Sequence, residues 1–490
     1  MKTYSPTRRH PWDARKAAHL LNRAGFGGPP AEVERLVEMG FEKAVDSLLN
    51  FEATPDNCSE PEWGVNPPEE LAWPDRYGAK VRNLAGKERF DDGQRIQSLR
   101  NQIGQKLKEW WLDRMCRTNR PFQEKMTLFW HGHFVSSLAD GMNSYWLYRQ
   151  IDLYRRFATG NFKEMTLEVS RDPAMLRYLD NDRNIARRPN ENYARELMEL
   201  FTLGIGNYTE QDIKESARAF SGWTRRDTRF VFDAVNHDYG TKTFLGRTGN
   251  FDGTDIVDII FEQPAVATFM ARKLWKFYAS QEPDKKLIEE LAHVFRNANY
   301  EIKPLVRAIF TCDEFYSDRV IAAQVKGPLE LAVGAIRALN IRETRLPVVL
   351  SYTRQMGQDL LAPPNVKGWD GGPLWINTTT LFVRYNFARF VVNEGAIDTP
   401  AGGKPRPVPA KIDSIIDRSR ITTAEEAVDR ICRALLPTQP LHPQRAELVD
   451  YLHTGPTGEK EPFNPAAPDA EARLRAVIYI IMSSPAYQVC

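Results

Sequence analysis

Apolar residues recur at helical spacing along almost the whole of this 490-residue chain, and that periodicity limits the fold more than any other feature. Segments at 14–24, 30–49, 95–117, 121–133, 141–157 and 161–170 each place apolar side chains at i, i+3, i+4 and i+7, as a helix with one face in a core requires. Helical period resumes at about 254 and runs to 393. Only the stretch around 229–246 departs from it. There "RFVFDAV" alternates apolar and polar residues, "NHDYG" reads as a turn, and "TKTFLG" follows. The expected fold is therefore mainly α, a multi-helical orthogonal array with one small β-hairpin or irregular insertion. Residues 394–412 are rich in Pro and Gly and read as a linker. They divide an expected main helical domain, 1–393, from a small C-terminal helical unit, 413–490, packed on it.

Charge removes some functions. Lys plus Arg number 66 and Asp plus Glu 64, so bulk attraction to nucleic acid is not expected. No run of about 18 apolar residues occurs, so no membrane span is expected. The opening "MKTYSPTRRHPWDARKAAHLL" contains no apolar core of a secretory signal, which gives a cytoplasmic expectation. The five cysteines are scattered without a C-x-x-C pair and read as free thiols. No phosphate-binding glycine loop, dinucleotide fingerprint, H-E-x-x-H or G-x-S-x-G is present.

The most informative polar segment is "PNENYARELMELFTLGIG", starting at Pro189. At about 100° per residue, Ala194, Leu197, Met198 and Phe201 share one face, while Asn192, Arg195, Glu196 and Glu199 share the other. A solvated face laced with i,i+4 ion pairs would look like this. So would one wall of a polar pocket, because the stripe has no Lys and offers Asn, Arg and Glu, groups suited to fixed hydrogen-bond geometry. Asn190 stands beside it. Downstream, Thr209 and Asp212 have the spacing of a capping box.

"FWHGHF" places His131 and His133 two residues apart. On a regular helix such positions point about 200° apart, so both could reach one metal only if the chain unwinds at Gly132. A third ligand would come from elsewhere, Glu196, Glu199, His237 and Asp238 being available and Glu196 the one taken forward. The alternatives are a helix-end hydrogen bond with packing among aromatics, or contact with a ligand without metal. In "HDYG", His237 and Asp238 form either a turn or an acid–base pair, with Lys242 as a nearby anion contact. "KGWDGGPLWINT" sets Trp369, Trp375 and Asn377 among glycines, where indoles can stack on a sugar or pin the loop to the body. Arg384 follows in the next helix.

Six segments in order, "KMTLFWHGHFVSS", "DPAMLRYLDNDRN", "PNENYARELMELFTLGIGNYTEQD", "ARAFSGWT", "HDYGTKTFLG" and "PPNVKGWDGGPLWINT", resemble the bacterial family catalogued as domain of unknown function 1800, as does "HLLNRAGFG" at 19–27. The resemblance implies a mostly helical fold over roughly residues 10–490. It carries no established activity. It implies that family members are often exported to the periplasm or beyond, and that a sulfatase-like protein is a candidate partner.

The functional expectation is a hydrolase acting on a carbohydrate or other polar oligomer in a pocket between helices. His131, His133, Glu196, Arg195, His237 and Asp238 are the catalytic candidates. Asn190, Asn192, Lys242, Trp369, Trp375, Asn377 and Arg384 are the substrate-binding candidates. One divalent metal ion on His131, His133 and Glu196 is the candidate cofactor. The competing expectation is a non-catalytic binding or assembly protein in which the same groups form a buried structural network.

Overall fold

The computed structural model describes residues 1–400, 403–438, 442–455 and 458–490. The chain is 59% helical, with only three small two-stranded antiparallel sheets among the described residues. The mainly α expectation holds, but the single hairpin becomes three, and the expected pairing of 229–235 with 241–246 is replaced. Trp223–Arg226 pairs with Arg229–Phe232, turning at Asp227, whose φ is 55°. Lys242–Phe244 pairs with Arg247–Gly249 around Leu245 and Gly246, both at positive φ. That is the backbone of a two-residue hairpin turn, but without the usual Asn-Gly signal. The third ribbon, Ala396–Asp398 with Arg406–Val408, occupies part of the stretch expected as a linker, of which residues 401–402 lie outside the described residues.

Other departures are local. The expected helix 30–49 is two helices, Pro30–Met39 and Phe41–Leu49, because Gly40 adopts φ 77° between them. Residues 51–75, rich in Pro, Glu and Asn, contain the short helices Glu62–Val65 and Glu69–Ala72. The helix expected at 95–117 begins earlier and runs Gly86–Arg117. The capping box at Thr209 and Asp212 is present.

One apolar core runs from Tyr4 to Tyr487 and takes in the helix Thr378–Asn393 and the C-terminal helix Ala470–Ser483, which pack together. At its centre lies the helix Pro121–His133, with almost every side chain buried. Glu124 on this helix is fully buried. It accepts hydrogen bonds from Arg114 Nε at 2.6 Å, Arg155 Nε at 2.8 Å and Trp111 Nε1 at 2.9 Å. Burial alone would raise its pKa, but the two guanidinium groups outweigh that and hold it below the usual carboxylate range. The pairing ties the helix to Gly86–Arg117 and Ser144–Arg156 and so fixes where His131 and His133 emerge.

Candidate functional site

The helix Pro121–His133 does not unwind at Gly132, so the two histidines leave it in different directions. His131 is fully buried, edge-on to Trp111 at 5.4 Å and to Trp369 at 5.7 Å between ring centroids. Neither of its ring nitrogens has a hydrogen-bond partner. Burial, with a smaller contribution from the charge of Lys108, pushes its pKa down to about 3, so the ring is neutral. It supports Trp369 from beneath and does not line an opening.

His133 is differently placed. Its Nε2 lies 3.0 Å from the carbonyl of Phe201, and its Nδ1 lies 3.1 Å from Lys273 Nζ. A carbonyl can only accept, so Nε2 carries the proton and Nδ1 accepts from the lysine. Burial first, then the charge of Lys273, hold His133 well below its ordinary pKa, in keeping with that neutral tautomer. Lys273 Nζ also donates to the carbonyl of Leu200 at 2.9 Å.

Those two carbonyls are available because of the local backbone. The helix expected over 190–204 is α only at Asn192–Glu196 and continues as a π-helix over Leu197–Thr202, closed by Thr202 Oγ1 on the carbonyl of Leu197 at 2.5 Å. The wider turn ends at Gly204, φ 79°, leaving terminal carbonyls for other donors. It also rotates Glu199 and Leu200 to the wall of an open cleft of about 500 Å³. His133, Gly132, Lys273, Lys276, Glu330, Lys367, Asp370, Trp369 and Trp375 line the same cleft.

The tryptophan loop is held on this cleft by a backbone contact. Gly368 has φ 86°, and a Cβ there would come within 2.6 Å of the carbonyl of Gly132. Only glycine permits that approach. Lys367 pairs with Asp370 at 2.6 Å. Across the cleft Glu330 is paired with the buried Lys125 and accepts from Gly327 N at 2.7 Å. Glu199 accepts from the Tyr208 hydroxyl at 2.9 Å. Among the described residues Lys273 has no such carboxylate: burial lowers its pKa from 10.5 to about 8.

The remaining candidates lie elsewhere. Arg195 donates both terminal nitrogens to Glu210 at 2.9 Å and reaches Glu191 at 3.4 Å. Glu196 is half-buried, its pKa raised by burial and by Glu199, and it does not line the cleft. The side chain of Asn190 accepts from Asn192 N at 3.0 Å, and that of Asn192 donates to the carbonyl of Leu179. His237 Nδ1 donates to the carbonyl of Ser221 at 2.8 Å. Asp238 is clasped by Arg218, whose hydrogen bonds hold its pKa down. Lys242, 1% exposed, donates to the carbonyls of Asp238 and Gly240. Asn377 caps the helix Thr378–Asn393. Arg384 is buried against Gln488 and the carbonyl of Lys326.

Of the expected site residues, His133, Trp369 and Trp375 therefore meet at the cleft, His131 packs behind it, and the others do not line it. The proposed ligand set of His131, His133 and Glu196 is not assembled: one histidine faces two indoles, and the other is committed to Phe201 and Lys273. Among the described residues no group of three or more His, Cys, Asp or Glu side chains is placed to hold a metal ion. Sequence reasoning missed Lys273 and Glu330. Lys273 stands at helical spacing from Phe269, Met270 and Phe277, a charge inside an apolar stripe, and that was the available signal.

Among the described residues no helix is long and apolar enough to cross a membrane. No curated protein and no solved structure matches the chain. A family model does match, over residues 19–489 and so nearly end to end, and by that match the chain belongs to the family described as Protein of unknown function (DUF1800).

Proposed function

We propose that the cleft binds a polar oligomer, with carbohydrate the favoured class, and that the chain is a hydrolase that cleaves it there. One observation carries this reading. Lys273 is held by two acceptors in the cleft wall, has no carboxylate partner among the described residues, and is pushed by burial down to a pKa of about 8. Hydrolysis requires a proton delivered to the leaving oxygen and another taken from water. The Lys273 ammonium group supplies the first. His133, through Nδ1, positions that amine and does not itself exchange a proton. Glu199, next in sequence to Leu200 and on the same wall, is the carboxylate available to take the second. Trp369 and Trp375 offer flat apolar faces beside Asp370 and Lys367, a combination suited to sugar rings.

A second reading, a binding or assembly protein without chemistry, is favoured by the pairing of Glu330 with Lys125 and by the hydrogen-bonded closure of the Asn190–Lys242 group. Incubation with a panel of neutral oligosaccharides, followed by tryptophan fluorescence and release of reducing ends, separates the two. The hydrolase reading expects turnover that disappears in Lys273→Met while binding persists, and binding about tenfold weaker in Trp369→Ala or Trp375→Ala. Binding without turnover in the wild type favours the second reading. Neither binding nor turnover contradicts the hydrolase reading and any sugar-binding form of the second.

A further inference from the structure

Behind the cleft, on the far side of Glu330, the protein buries more positive charge than its own carboxylates balance. Lys125 and Arg23 are each 2% exposed and Arg384 is 1% exposed. Lys326 lies with them: its carbonyl accepts from Arg384 Nη2 at 2.9 Å, and its ammonium group sits 3.8 Å from the centroid of the Tyr487 ring. Glu330 and Cys490 are the anionic influences on this group, and Glu330 is already bonded to Lys125. Arg23 donates only Nη2, to the carbonyl of Val320 at 3.0 Å. Among the described residues its Nε and Nη1 have no hydrogen-bond partner, nor does Nε of Arg384. Buried cationic groups without acceptors are costly and are normally compensated.

A cavity of about 50 Å³ opens beside this group, lined by Asn22, Gly27, Gly28, Lys326, Glu330, Arg433 and Tyr487 among others. Its size suits a single small ion. Burial outweighs the opposing charges of Glu330 and Cys490, both of which line the cavity, and pushes Lys326 down to about 8.

We propose that this cavity binds a small tetrahedral oxyanion, phosphate or sulfate, held chiefly by Lys326 and Arg433 in the positive field of Arg23 and Arg384. The cavity shares Glu330 with the cleft wall but contains none of the groups assigned to the cleft chemistry. Bound there, the anion would cross-link Asn22 and the Gly27–Gly28 turn to the helix Ala424–Leu435 and to the C-terminal segment that pairs with Val325.

The test is calorimetric titration of the full chain with inorganic phosphate, sulfate and phenyl phosphate at constant ionic strength set with chloride. One saturable site for phosphate or sulfate is expected, with binding weakened about tenfold or more in Lys326→Met, the loss of one charge-assisted contact. Arg433 is exposed, so Arg433→Gln tests the same site in a variant whose core is untouched. It is expected to weaken binding, while Lys285→Met, at a remote exposed position, is not. Preference for phenyl phosphate over the inorganic ions would replace the closed ion site with one for a phosphate monoester and overturn the proposal as stated. Absence of saturable heat, or equal affinity in wild type and Arg433→Gln, also overturns it.

Discussion

Two regions of this protein contain the same kinds of side chain and put them to opposite use. Around Asn190, Arg195, His237, Asp238 and Lys242, each polar group finds a protein partner: Arg195 meets Glu210, Asp238 meets Arg218, and Lys242 meets two carbonyls. At the cleft, Lys273 touches two acceptors and no carboxylate, beside an open volume of about 500 Å³ and two indoles. A closed network stabilises; an unbalanced group at an opening is available to a ligand. Residue type does not separate the two regions. Unused hydrogen-bonding and charge capacity does.

The comparison is broken most forcefully from the closed side. Lys242→Met removes the charge-assisted hydrogen bonds of a buried ammonium group to the carbonyls of half-buried Asp238 and exposed Gly240, and is expected to cost about 2–3 kcal/mol, within the roughly 1.5–3 kcal/mol typical of a hydrogen bond to a charged group. Thermal or denaturant unfolding measures this, and ligand binding at the cleft should survive under native conditions. A loss of cleft binding without loss of stability would reverse the assignment of the two regions.

Next comes Gly368→Ala, which forces a side chain against the Gly132 carbonyl at a positive φ. A loss of about 2 kcal/mol is expected, together with weaker ligand binding, because the change pushes Trp369 off His131. Unfolding curves and Trp fluorescence together would reveal it. Unchanged stability would mean that the loop is not anchored there.

The pH dependence sharpens the cleft side. Below about pH 8 Lys273 is charged in both folded and unfolded chains. Between about 8 and 10.5 only the unfolded chain keeps the proton, so this residue's contribution makes the protein more stable as pH rises across that window. The slope of stability against pH should therefore be smaller in Lys273→Met than in wild type. Identical slopes would place Lys273 in an ordinary solvated environment.

The smallest effect is expected at His131. Both ring nitrogens are buried without partners, so His131→Phe should leave stability unchanged or raise it by up to about 1 kcal/mol. A large loss would reveal a polar contact for that ring.

The helical class and the core were legible because apolar period is a strong local signal: Ala194, Leu197, Met198 and Phe201, expected on one face, are all buried. The breaks were less so. Gly40 divides a helix that periodicity ran through, and the π turn at Leu197–Thr202 cannot be read from a fixed 100° step. That turn decides the site, since it carries Glu199 to the cleft and leaves Arg195 with Glu210. The angular argument did separate His131 from His133, but the lysine that meets His133 comes from a helix 140 residues away. Nothing local in either segment announces that meeting except a charge in an apolar stripe.

The most direct measurement sets two conservative variants side by side on one oligosaccharide that the wild type turns over. Lys273→Met alters the unbalanced amine at the opening, and Arg195→Gln alters a guanidinium already bound to Glu210. If the cleft is the working site, turnover vanishes in the first and persists in the second. Turnover that persists in Lys273→Met and vanishes in Arg195→Gln would move the chemistry to the polar stripe and contradict the account.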